Sequence, residues 1–157
     1  MAEQEHIPLD LAYAAGIIDG EGWVGMNYLP AEHASLKGKR RSPMFRCCVE
    51  VIMVDPRIPM WLCERFGGSV RSYASRKPGH RGTHKWTLQH RQAEAFCRLI
   101  APYLMLKREQ AEIIVSYYSD PRFSFTRRSK GIPAEEVEAR MEYVARSKSL
   151  NRRGGDV

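Results

Sequence analysis

Leu11-Ala12-Tyr13-Ala14-Ala15-Gly16-Ile17-Ile18-Asp19-Gly20-Glu21-Gly22 is the most informative stretch of this chain. Asp10 stands before it as a helix cap, and Leu11, Ala12, Ala14, Ala15, Ile17 and Ile18 leave little polar surface before Gly20 and Gly22 stop the helix. A helix this apolar must be covered on more than one side. Gly16 and Gly20 lie four residues apart on one face with Ala12 and Tyr13 adjacent. A second such helix could therefore approach backbone to backbone there. The alternative use of the two glycines is packing within the chain plus a helix stop. The stretch occurs once, so a partner helix has to come from a second copy. A two-fold axis between the helices then brings two Glu21 side chains together at their C-terminal ends.

Working outward, Val24, Met26 and Tyr28 alternate with Gly25, Asn27 and Leu29, which predicts a strand over Trp23 to Leu29. Pro30 to Pro43 holds Lys37, Lys39, Arg40 and Arg41 and reads as a solvated basic loop. Beyond it, Phe45, Cys47, Val49, Val51 and Met53 alternate with Arg46, Cys48, Glu50 and Ile52, a second strand able to pair with the first. Asp55 and Pro56 open a helix carrying Met60, Trp61, Leu62 and Phe66, and Gly67 and Gly68 end it. Arg71, Tyr73 and Ser75 then oppose Val70, Ser72 and Ala74. A turn from Lys77 to Gly82, with Arg81 in it, leads to Lys85, Thr87 and Gln89 opposite Trp86 and Leu88. Two helices are predicted to follow, from Gln92 to Tyr103 and from Lys107 to Tyr118.

This order predicts an α+β fold in which four antiparallel strands are covered by helices on one face. The open face carries Asn27, Arg46, Arg71, Tyr73, Lys85 and Gln89. A polar sheet face can be no more than a solubility device. Its mainly positive charge and the basic hairpin turns favour binding, with strands lying along a major groove. The lack of an aromatic ladder speaks against a platform for single strands.

Composition agrees. At 157 residues the chain has the size of one domain, and 43% hydrophobic with 27% charged residues is ordinary for a soluble protein. Neither a membrane-spanning run nor a leader is evident, so the expectation is an intracellular protein, cytoplasmic or nucleoid-associated if its source is a bacterium or phage. Lys and Arg number 25 against 18 Asp and Glu, a net charge of +7 that attracts a polyanion. Cys47, Cys48, Cys63 and Cys97 lie in apolar surroundings and read as reduced core thiols. A zinc site with His80, His84 or His90 is the weaker alternative, since no CxxC pair exists.

From Asp120 onward the chain changes character. Arg122, Arg127, Arg128 and Lys130 precede a charged helix from Ala134 to Lys148 with a narrow stripe of Val137, Met141 and Val144, and Asn151, Arg152 and Arg153 open a flexible tail. Residues 119–157 are thus either a satellite linker and helix or an accessory arm that follows DNA.

The opening stretch resembles the signature of the LAGLIDADG homing endonucleases, with Ala14 replacing the first leucine, Ile17 the second, Gly20 the second alanine and Glu21 the second aspartate. Phe66-Gly67-Gly68-Ser69-Val70 looks like that family's helix-to-strand junction. Pro102-Tyr103-Leu104-Met105-Leu106-Lys107-Arg108-Glu109-Gln110-Ala111 resembles the segment carrying its active-site lysine. The likeness covers about residues 9 to 118. It implies an αββαββα core with additional C-terminal helices and a DNA-binding sheet, working as a homodimer through Ala12, Tyr13, Gly16 and Gly20. It implies site-specific cleavage of a long pseudo-palindromic duplex to leave 3′ overhangs, as in intron homing, with Mg2+ (Mn2+ as substitute) and no organic cofactor. Glu21 falls on the metal-binding acid, with the Gly20 carbonyl beside it; a hard divalent ion wants such oxygen ligands and can activate water against a phosphate. Lys107 matches the lysine near the scissile phosphate and Arg57 is a further catalytic candidate, while Asp19 is expected to organise the helix end. DNA contacts are expected from Asn27, Lys37, Lys39, Arg40, Arg41, Arg46, Arg71, Tyr73, Lys77, Arg81, Lys85 and Gln89. Met53-Val54 departs from the family, which often places a polar residue there, commonly glutamine. A DNA- or RNA-binding maturase or regulator on the same scaffold, with weak or no cleavage, is the alternative.

Overall fold

In the computed structural model, residues 8–31, 42–126 and 131–152 are described. Helix α1 (Pro8–Glu21) passes directly into β1 (Gly22–Leu29), and β2 (Met44–Met53) returns antiparallel to it. Helix α2 (Arg57–Phe66) leads to β3 (Ser69–Tyr73) and β4 (Thr83–Gln89). Then come α3 (His90–Ile100), a short 3-10 turn (Ala101–Tyr103), α4 (Arg108–Ser119) and α5 (Ala134–Arg152). The strands form one sheet in the order β1-β2-β4-β3, so β1 and β3 are its edges.

The alternation in the sequence decides which face is dry. Val24 and Met26 of β1, Cys47, Val49 and Val51 of β2, and Trp86 and Leu88 of β4 are buried together with Ala14, Ala15 and Ile18 of α1, Leu62 of α2, Phe96 and Ile100 of α3 and Ile114 of α4. Register follows, because a one-residue slip would turn this whole set to water: Val24 sits opposite Val49, and Val49 opposite Leu88. A chain of edge-on rings runs from Trp86 through Phe96, Phe66 and Trp61 to Tyr13, with centroids 4.9 to 5.9 Å apart. It ties the sheet to the outer side of α1.

The junction between α2 and β3 depends on its two glycines. Gly67 and Gly68 have φ of 76° and 87°, and a side chain at Gly68 would run into the Thr87 carbonyl. The Gly67 carbonyl accepts the indole N–H of Trp86 at 2.8 Å, so the turn is fastened to the core.

Several boundaries differ from the sequence expectation. Helix α1 already includes Pro8, which leaves Asp10 inside it, 3.6 Å from Arg65, and not at its cap. The long predicted helix to Tyr103 is an α-helix ending at Ile100, then a tighter turn accommodating Pro102. Strand β3 stops at Tyr73, short of Ala74 and Ser75.

Helix α5 differs most. It continues to Arg152, beyond the predicted end at Lys148, and packs against β1 and α4. Its Ser147 hydroxyl accepts the Met26 N–H at 3.0 Å and its Asn151 amide donates to the Val24 carbonyl at 3.0 Å. Two backbone groups of edge strand β1 are thereby taken up by side chains instead of being left to pair with another strand. At the other end of α5, Arg140 and Glu136 form a buried ion pair. Arg140 also donates to the Tyr117 hydroxyl at 2.8 Å and the Ser124 carbonyl at 2.9 Å, while its guanidinium lies 4.8 to 5.7 Å from the rings of Phe45, Tyr117, Phe123 and Phe125. No described helix is long and apolar enough to cross a membrane.

Candidate functional site

The end of α1 is built by a reciprocal clamp. The Asp19 carboxylate accepts the backbone N–H groups of Met105, Leu106 and Lys107 at 2.8, 3.1 and 3.0 Å. In return, the Lys107 ammonium donates to the carbonyls of Ile18, Asp19 and Gly22 at 2.7, 3.1 and 2.5 Å. Carbonyls left unpaired at a helix C-terminus carry the negative end of its dipole, and a cation there is favoured. Burial pulls the Lys107 pKa down, against the opposing charges of Asp19 and Glu21. The organising role expected for Asp19 is what these contacts perform.

Glu21, the last residue of α1, is exposed beside this clamp, and Gly20 is exposed with it. The Gly20 carbonyl is not among the acceptors of Lys107. Gly22 turns the chain from helix to strand so tightly that a Cβ would lie 2.7 Å from Ile18 Cα. Glu21 is thereby held at the helix–strand corner. Arg57 is engaged elsewhere: its guanidinium grips Asp55 through Nε to Oδ1 at 3.0 Å and Nη2 to Oδ2 at 2.7 Å, holding that carboxyl at about 2. No described contact joins Arg57 to Glu21 or Lys107. Met53, across from His84, is partly buried against the core.

The open sheet face collects the six side chains assigned to it. Asn27 pairs with Arg46 and Arg71 with Lys85, while Gln89 lies opposite Cys48 and Tyr73 opposite Thr83. Arg46, Glu50, Arg71, Tyr73, Lys85 and Gln89 line a concavity of about 580 Å³. The Nε of Arg46 is buried there without a hydrogen-bond partner. Lys77 and Arg81 are exposed on the β3–β4 turn. Lys37, Lys39, Arg40 and Arg41 lie outside the described residues.

Two residues of this face were not among the sequence candidates. Glu50 stands within hydrogen-bond distance of Lys85, Nζ to Oε1 2.8 Å. The indole of Trp23 lies over Gly25, where an added Cβ would meet the ring at 2.6 Å and the Asn151 amide at 2.7 Å. The alternation that places Arg46 on the face also places Glu50 there, two strand repeats away, so this acid was legible in the sequence.

The third surface is the outer side of α1. Ala12, Tyr13, Gly16 and Gly20 are all exposed, and a Cβ built on either glycine meets nothing within 4 Å. Leu9, on the same helix, is 79% exposed, and Met105 and Leu106 on the Asp19-bound loop are 87% and 75% exposed. The zinc alternative finds no support, because no three His, Cys, Asp or Glu side chains among the described residues cluster as a metal site. The four cysteines are free thiols, and burial pushes Cys48 up to about 11 and Cys97 to about 12.

The helix order and the β1-β2-β4-β3 sheet are those of the LAGLIDADG homing-endonuclease fold. Solved structures with this architecture include the homing endonuclease I-CvuI in complex with a DNA target, at TM-score 0.69 and 18% identity over 90% of this chain and 82% of that one. An archaeal intron-encoded homing endonuclease complexed with DNA matches at TM-score 0.65 and 10% identity, covering 90% of this chain and 84% of that one. The homing endonuclease I-TnaI matches at TM-score 0.55 and 13% identity, covering 90% and 93%. At these identities the likeness is one of fold. No family model and no curated protein matches the chain.

Proposed function

We propose that this chain is a site-specific endonuclease of double-stranded DNA, dependent on a divalent metal and active as a homodimer of the LAGLIDADG type. The observation that carries this reading is the placement of an exposed Glu21 at the corner where α1 meets a polar, mainly cationic sheet face. The DNA-bound proteins that share the fold support the choice of DNA as partner.

One carboxylate with a neighbouring carbonyl, those of Glu21 and Gly20, suits Mg2+, which completes its shell with water and phosphate oxygens and seldom asks for an all-protein cage. Bound there, the ion would neutralise charge on the phosphate and favour ionisation of water. The chain's own residues do the rest. Asp19 and Lys107 hold the end of α1 rigid, and the Lys107 charge sits beside Glu21. Because the protons of its ammonium are directed at three carbonyls, Lys107 acts on the phosphate region through its charge and through positioning. Arg57 serves as a phosphate contact once released from Asp55. Dimerisation through Ala12, Tyr13, Gly16 and Gly20 supplies the second Glu21, one acid for each strand, and a staggered cut with 3′ overhangs.

The test is selection of cleaved sites from a randomised duplex library in Mg2+, followed by Glu21→Gln on the selected site in a plasmid. The variant keeps the volume and loses the charge, so it should bind within a few-fold of the parent and fail to linearise the plasmid. Normal linearisation would put the metal site elsewhere. The binding-only reading, favoured by the apolar Met53 and the engaged Lys107 ammonium, is established instead if the unaltered protein binds a selected duplex and leaves it whole in both Mg2+ and Mn2+.

A further inference from the structure

An acid occupies the middle of the cationic sheet face. Glu50 lies on β2, an inner strand, with Trp23 opposite it on β1 and Thr87 opposite it on β4. Lys85, two residues from Thr87 along β4, bonds Glu50 Oε1, and the two side chains keep 26% and 21% of their surface exposed. Both line the concavity shared with Arg46, Arg71 and Gln89. Among the described residues Oε2 of Glu50 receives no hydrogen bond, and the side chain keeps part of its surface exposed, so this carboxylate can accept a further donor on a face otherwise furnished with donors.

A carboxylate among cations could serve only to neutralise them, but its position on the sheet floor says more. The edges and turns of a sheet in the major groove meet phosphates, which repel an acid, whereas its centre meets base edges. An ionised carboxylate only accepts hydrogen bonds and an ammonium only donates them. Amino groups of cytosine (N4) and adenine (N6) are the only donors that groove offers. In a C·G pair the N4 amino group lies beside two acceptors, guanine O6 and N7. An A·T pair also sets acceptors, adenine N7 and thymine O4, beside N6, but its thymine methyl group occupies part of the same space and strips water from a charged couple there.

We propose that Glu50 and Lys85 act as one specificity element that reads a C·G base pair in each half-site, Glu50 accepting from cytosine N4 and Lys85 donating to guanine O6 or N7. The inference rests on the endonuclease reading in placing this sheet face in the major groove and in setting two copies over two half-sites; it does not require cleavage.

The experiment is binding-site selection with the full chain from a randomised duplex library in EDTA, so that affinity is read without cutting. The parent protein should select C·G at one position in each half-site, with roughly ten-fold or greater loss when another pair is placed there. Glu50→Gln should shift that position toward adenine, which a glutamine amide can bond through N6 and N7, and leave the other positions unchanged. Lys85→Met should relax guanine at the same position. Thermal unfolding of both variants confirms that they are folded. Unchanged preferences in both folded variants, or a conserved A·T at the position they affect, would overturn the proposal. Selection of no duplex by the parent would overturn the major-groove reading itself, and this inference with it.

Discussion

Lys107 and Asp19 are more than 80 residues apart, yet each satisfies backbone groups that the other's element leaves open. Removing the ammonium would leave three partly buried carbonyls without it, at roughly 1 to 3 kcal/mol for each one that water does not reach. Lys107→Met should therefore lower unfolding stability by about 2 kcal/mol in a urea titration. Lys107→Arg should not restore it, because a planar fork cannot converge on three acceptors as an ammonium does. Unaltered stability in Lys107→Met would show that the clamp is not structural. The thiols give a second test at this scale. Cys47, Cys48 and Cys97 are buried, with thiol pKa values raised by desolvation, whereas Cys63 is partly exposed. Raising the pKa withholds the thiolate that reacts. Native protein at pH 8 should accordingly be alkylated first at Cys63, and at the other three only after denaturation, as peptide mass mapping would reveal.

Among the elements, α5 has the largest effect for its apparent weakness. Its apolar stripe is narrow, but it brings Arg140 and Glu136 into a buried pair inside a ring cluster and takes up two backbone groups on the free edge of β1. Truncating one partner of a buried pair leaves a charge stranded in low dielectric. Arg140→Met is expected to cost about 3 to 5 kcal/mol and to lower the melting temperature sharply; a loss under about 1 kcal/mol would mean that Glu136 is well solvated. Gly25→Val tests the opposite end of α5. The added side chain must displace the Trp23 indole and the Asn151 amide, so the docked helix end should loosen and amide exchange at Met26 should quicken. Exchange as slow as in the parent would show that Asn151 and Ser147 hold β1 without the glycine.

For the whole molecule the decisive surface is the outer side of α1. A side chain at Gly16 meets nothing within the folded chain, so Gly16→Leu should leave the monomer intact. If two copies pack there, the substitution should convert a dimer to a monomer in sedimentation equilibrium and abolish double-strand cleavage while the melting curve still reports a folded chain. A variant that stays dimeric and cuts normally would place the interface elsewhere. The +7 net charge adds a second expectation at this scale, that DNA affinity falls steeply with salt because bound counterions are released.

Periodicity, with caps and glycine or proline stops, assigned the helices, the strands and the face of the sheet to which Arg46, Arg71, Lys85 and Gln89 belong. The reason is that a period of two or of 3.6 residues is a local property, enforced by burial of every second side chain or of one helical stripe. The glycine spacing in α1 and the position of Glu21 at its end were legible for the same reason. Long-range pairing was not. Nothing near Lys107 announces that its ammonium ends on the carbonyls of α1, nothing near Arg57 on its own selects Asp55 over a phosphate, and the charges of Glu136 and Arg140 read as solvent-facing until Tyr117 and Phe123 close over them. Those outcomes depend on which distant groups share a buried space. Desolvation and unpaired backbone groups then set the terms, and only the tertiary structure brings them together.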